Sequence, residues 1–129
     1  RFCNAGHPYP LLIAPDGTVS FFKTADNLPL GVTSDYEYEE QECYFAPGSQ
    51  LLFYTDGVSE AQNEQSKFYK IDRLFNLVVS HSQLAPRQMV DKVVGDVKRF
   101  VGKAEQSDDL TVMSFRLNPR GKKKIEGLL

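Results

Sequence analysis

The sequence predicts an α+β fold, a layered sandwich in which helices pack on antiparallel sheet. Three observations point to it. Apolar runs of strand length occur at 11–14, 19–22, 51–54 and 110–117. Two stretches, beginning at Ile71 and Pro86, space their apolar residues as an amphipathic helix does. Most strands precede the helices instead of alternating with them, which segregates helix from sheet.

In order, Arg1 to Asn4 reads as the end of a strand. With neither a Met nor a signal-peptide pattern, it reads as lying inside a longer protein. Ala5 to Pro10 carries one glycine and two prolines and is a loop. Leu11 to Ala14 and Val19 to Phe22 flank Pro15-Asp16-Gly17-Thr18, a turn signal, and form a hairpin. Asp26 to Gly31 is irregular. Tyr36 to Phe45 alternates aromatic and acidic residues and reads as an exposed or edge strand, its charge blocking edge-to-edge pairing. Ala46-Pro47-Gly48-Ser49 turns it back onto Leu51–Tyr54, a short apolar and aromatic run that reads as a buried strand. Ser59 to Lys67 is polar, a short helix or loop.

Ile71, Leu74, Phe75, Val78 and Val79 make one helical stripe. Pro86 opens a second helix, where its missing N–H does no harm. Val90, Val93, Val94, Val97, Phe100 and Val101 form its buried face, and Gly102 is its stop. Gly95 inside it costs about 1 kcal/mol relative to alanine and marks close packing. Leu110 to Leu117 is a buried strand. Residues 119–129, with Lys122 to Lys124, form a basic flexible tail.

Size and charge narrow the function. A chain of 129 residues is about one domain. A net charge of −2 supplies no general attraction to nucleic acid or to an anionic membrane. No apolar run approaches the roughly 18 residues needed to span a bilayer. Cys3 and Cys43 are far apart and lack a His cluster. They read as two free buried thiols in a reducing cytoplasm, with one disulfide as the alternative, and the missing His cluster argues against zinc.

The chemistry concentrates at two acidic points. Asp56 follows the buried strand in Thr55-Asp56-Gly57, where Gly57 permits a tight turn. An ionised carboxylate at such a tip calls for an Arg or Lys, a set of backbone N–H groups, or a cation. Asp108 and Asp109 precede the last strand. If the two strands are antiparallel neighbours, these carboxylates meet at one rim of the sheet. Repulsion there is relieved by a divalent cation with oxygen ligands, Mg²⁺ or Mn²⁺. Against this, Thr-Asp-Gly and Ser-Asp-Asp are also common turn strings.

Four strings occur in order: Asn4-Ala5-Gly6-His7-Pro8, Leu28-Pro29-Leu30-Gly31, Leu52 to Glu60, and Ser107-Asp108-Asp109-Leu110-Thr111-Val112. Together they resemble the metal-dependent (type 2C) protein phosphatases, within them the bacterial SpoIIE and RsbU branch. The resemblance implies a four-layer αββα sandwich of two antiparallel sheets flanked by helices. It makes residues 1–118 the C-terminal part of such a domain, lacking its N-terminal portion. It implies two Mn²⁺ or Mg²⁺ ions, with Asp56 and Asp108 as metal ligands. Asp109 is the weaker choice, since neighbouring strand side chains point opposite ways. The implied activity is hydrolysis of phosphoserine or phosphothreonine on a regulatory protein, an anti-sigma factor antagonist, by metal-activated water. The oligomeric state is left open, a dimer included.

One family motif is missing. A Gly-Asp with a second Asp three residues on should supply further ligands, and the sole Gly-Asp, Gly95-Asp96, has Arg99 at that place. The expectation is a phosphatase in the parent protein and an inactive fragment here. The alternative is a pseudophosphatase acting as a signalling interaction module. A haloacid-dehalogenase-type site fails, because Tyr54 stands where its nucleophilic Asp belongs. His7 reads as a loop histidine bonded to backbone, with a positioning or proton-transfer role as its functional alternative. Glu60 reads equally as a residue orienting metal-bound water or as a charge stabilising a helix start.

Overall fold

The computed structural model describes residues 1–105 and 108–118. Its elements are β1 (Leu11–Ile13), β2 (Val19–Phe21), β3 (Gln50–Tyr54), α1 (Asp56–Ser59), α2 (Ile71–Ser80), α3 (Pro86–Val101) and β4 (Val112–Arg116). The four strands form one antiparallel sheet in the order β2-β1-β3-β4. This bears out the α+β class. The described residues build one sheet and one helical layer of the expected sandwich.

The Pro15–Thr18 turn closes the β1–β2 hairpin as its composition requires. Asp16 accepts from the Thr18 N–H at 2.9 Å, and Gly17 takes φ +88°. β3 pairs with β1 on one side and β4 on the other. The expected partner of β3, Tyr36 to Phe45, is not a strand. It makes a single bridge, Phe2 to Gln41. Four glutamates and an exposed Tyr44 leave that segment too little apolar surface to bury.

Sheet register sorts the side chains. One face carries Leu11, Ile13, Leu52 and Tyr54, all buried against Leu74 and Val78 of α2 and Met89, Val93 and Val97 of α3. Phe21 stacks on Phe75 at 5.2 Å between ring centres. The other face carries Leu12, Leu51, Phe53, Met113 and Phe115. There Met113 is 52% and Phe115 39% exposed, so β4 is a half-exposed edge strand and not the buried strand its apolar run suggests.

Both helices lie where the spacing puts them. Val79, assigned to the buried stripe of α2, is 47% exposed, while Met89 joins the core of α3 fully buried. α3 ends at Gly102, whose φ is +63°. Gly95 faces open space, so close packing is not its role. Instead, Asp96 beside it accepts from Tyr69 Oη (2.8 Å), Arg73 Nε (2.9 Å) and Arg99 Nη2 (3.1 Å). The Arg73 guanidinium lies over both Tyr69 and Phe100, at 5.0 and 4.8 Å. This network fastens α2 to α3.

Gln50 is buried on the helix face and donates to Ser114 Oγ at 3.0 Å, while Arg116 donates to its carbonyl oxygen at 2.8 Å. Both cysteines are free, but Cys3 is exposed and Cys43 half-buried, so neither is a core thiol. Ser107 and residues 119–129, where a basic tail is expected, lie outside the described residues.

Candidate metal and phosphate centre

The ends of β3 and β4 carry the two acidic strings to one rim. Tyr54 pairs with Val112, the last register pair of the ladder. Beyond it the strings bond directly. Thr55 N donates to Thr111 O at 3.1 Å, Thr111 N donates to Thr55 Oγ1 at 3.2 Å, and Thr55 Oγ1 donates to Asp109 O at 3.2 Å. The rim that holds Asp56 is thus stitched to the one that holds Asp108 and Asp109.

Gly57 has a different purpose from the one its turn chemistry suggests. It is not among the residues with positive φ. A Cβ there would instead run into the main-chain carbonyl of Asp109, with the carbonyl carbon at 3.0 Å. Glycine is required by close backbone approach.

Asp56 is the first residue of α1 and is exposed, with Oδ1 accepting from the Gly57 N–H at 3.0 Å. It stands at the tip of a buried strand but remains in water, so desolvation does not force a counter-charge on it. Asp108 is also exposed, and its Oδ1 accepts from Asp109 N at 2.7 Å. Carboxylate oxygens of this kind suit a hard divalent cation. Among the described residues no group of three or more His, Cys, Asp or Glu side chains could hold a metal ion. The donors present therefore fit part of such a site.

The remaining candidates fall as follows. Glu60 caps the C-terminal end of α1, so a helix-start role does not apply to it. His7 Nδ1 lies 2.7 Å from Pro8 O, the backbone bond expected of it. Its ring meets Phe53 edge-on at 5.8 Å. The first and second strings also touch, since a Cβ on Gly6 would come within 2.7 Å of the Pro29 ring.

The model of the family described as Stage II sporulation protein E (SpoIIE) matches residues 1–118. The chain belongs to the SpoIIE family. Phosphoserine phosphatase RsbU of Bacillus subtilis (strain 168) is 23% identical over 115 residues, covering 89% of this chain and 34% of RsbU. The chain thus spans about a third of the length of that relative. Among solved structures, the SiaA PP2C domain of Pseudomonas aeruginosa matches with a TM-score of 0.70 and 23% identity, over 88% of this chain and 44% of that one. The PP2C phosphatase domain of SpoIIE from Bacillus subtilis, with a fragment of its regulatory domain, matches with a TM-score of 0.67 and 21% identity, over 89% and 33%. These structures establish a shared PP2C-type fold with this member of the SpoIIE family.

Among the described residues, no helix is long and apolar enough to cross a membrane.

Proposed function

We propose that the protein carrying this chain is a metal-dependent serine/threonine phosphatase acting on a phosphorylated regulatory protein. Residues 1–118 are the later part of its phosphatase domain, and the cytoplasm is its compartment. The observation that supports this reading is the stitching of Thr55–Gly57 to Asp109–Thr111, which joins the turn carrying Asp56 to the segment that follows Asp108. In this reading both carboxylates are ligands for Mn²⁺ or Mg²⁺. A divalent pair, when bound, supplies an activated water and positive charge for the phosphoryl oxygens. The chain's own part is to fix the carboxylates. Main-chain N–H groups orient each one, and the threonine bonds keep the two strand ends from separating. The name of the RsbU relative supports phosphoserine as the target, and a substrate of the anti-sigma factor antagonist type accords with it.

A second reading, an interaction module without turnover, draws on the incomplete donor set among the described residues. Applied to the isolated 129-residue chain, it predicts no release of phosphate. The deciding experiment uses the full-length protein. Mn²⁺-dependent phosphate release should fall at least about 100-fold in Asp56→Asn and in Asp108→Asn, with weakened Mn²⁺ binding by calorimetry. Equal Mn²⁺ affinity in the unsubstituted protein and Asp56→Asn would exclude Asp56 as a ligand.

A further inference from the structure

The Asn4–Pro8 string does more than close a loop. Asn4 is committed internally: its Oδ1 accepts from His7 N at 2.7 Å, and its Nδ2 donates to His7 O (2.9 Å) and Thr24 Oγ1 (2.6 Å). Gly6, at φ +85°, packs under the Pro29 ring. These contacts fix one wall of a pocket of about 450 Å³, lined by segments 4–9 and 25–27. That volume lies within the roughly 300–1,000 Å³ of ordinary ligand pockets.

One lining group is held ready and unused. Because Pro8 O can only accept, His7 Nδ1 carries the proton of that bond. In the neutral ring this leaves Nε2 as an acceptor, and it has no partner among the described residues. The ring is exposed and braced edge-on by Phe53 of β3, three residues before Asp56 opens α1. Asn27 is occupied, its Oδ1 accepting from Glu39 N at 2.9 Å and its Nδ2 donating to Glu39 O at 3.4 Å. Asp26, which accepts from Tyr9 Oη, gives the pocket a negative charge. A phosphate dianion is repelled there, whereas a polypeptide offering N–H donors is not.

We propose that this pocket is a subsite for the polypeptide flanking the phosphorylated residue, with His7 Nε2 accepting a hydrogen bond from that polypeptide. The proposal rests on the phosphatase reading above and adds the place where substrate backbone is held. His7 is a binding residue here and takes no part in the transfer itself.

The test uses the full-length protein with Mn²⁺ and two probes sharing one ester. One is free O-phosphoserine. The other is a capped heptapeptide with a central phosphoserine and three alanines on each side. His7→Ala should raise KM for the heptapeptide about fivefold, the effect of one lost hydrogen bond. Its kcat should hold, and kcat/KM for O-phosphoserine should stay within about twofold. His7→Gln, which keeps a side-chain acceptor, should recover part of the loss. Equal losses on both probes would place His7 at the phosphoryl centre and overturn the subsite, as would no change on either. If the unsubstituted protein hydrolyses neither probe, the phosphatase reading fails and the subsite with it, a failure visible without any substitution.

Discussion

Gly57 lies against the main-chain carbonyl of Asp109, leaving no room for a Cβ between them. The obstructing atoms are backbone, fixed by the Thr55 bonds on either side. Gly57→Ala must therefore push the two strand ends apart. It should cost about 1–3 kcal/mol in chemical denaturation, as overpacking does, and weaken Mn²⁺ binding in the full-length protein. Unchanged stability would show that the rim yields freely.

Asp96 links pH to the packing of α2 on α3. Burial opposes its charge. Hydrogen bonds from Arg73 and Tyr69, with the charges of Arg73 and Arg99, outweigh that and hold the carboxyl below its ordinary 3.8. A carboxyl held low in the folded state stabilises that state above its unfolded-state pKa. The contribution is lost as pH falls through the lower, folded-state value. Asp96→Ala should cost about 2 kcal/mol at neutral pH. That difference should shrink as pH is taken below the ordinary aspartate range. Urea titrations of both proteins across that range check the sign.

Tyr69 shows the same network from the other side. Burial, then the hydrogen bond to Asp96, pushes its phenol far above the ordinary 10.0. Tyr69→Phe should keep the ring packing on Phe100 and lose the bond, costing about 1–2 kcal/mol by denaturation.

Gly95 sits mid-helix with nothing within 4 Å of where a Cβ would be. Gly95→Ala should stabilise the fold by about 1 kcal/mol through helix propensity alone. A lower melting temperature instead would reveal a backbone approach at this position.

The two helical stripes can be compared through Met89 and Val79. Met89 is fully buried and Val79 is 47% exposed. Met89→Ala should cost about 2–5 kcal/mol, and Val79→Ala less than about 0.5 kcal/mol, both read from denaturant midpoints.

Much of this was legible from residue order. Pro15–Thr18 specified its hairpin, because Asp16 and Gly17 satisfy that turn locally. The helices from Ile71 and Pro86 were legible because 3.6-residue spacing needs no knowledge of the partner surface. Tyr36 to Phe45 misled, since β propensity is realised only where a neighbour supplies buried area, and β3 takes β1 and β4 instead. The meeting of Thr55-Asp56-Gly57 with Asp109–Thr111 was posed by the strings as a condition, that their strands be antiparallel neighbours, and it depended on contacts more than 50 residues apart in the chain.

Local chemistry determined where the strands, helices and turns lie, and which strings carry oxygen donors, since these depend on neighbours a few residues apart. Tertiary structure decided that β3 meets β4 and that Gly57 must be bare to let Asp109 approach. It also turned Asp96 into a helix clamp and set the His7 ring edge-on against Phe53, beside a pocket that Asp26 also lines. Each of those outcomes is a contact between segments remote in sequence, and the spacing of residues along one segment carries no information about what will be packed against it.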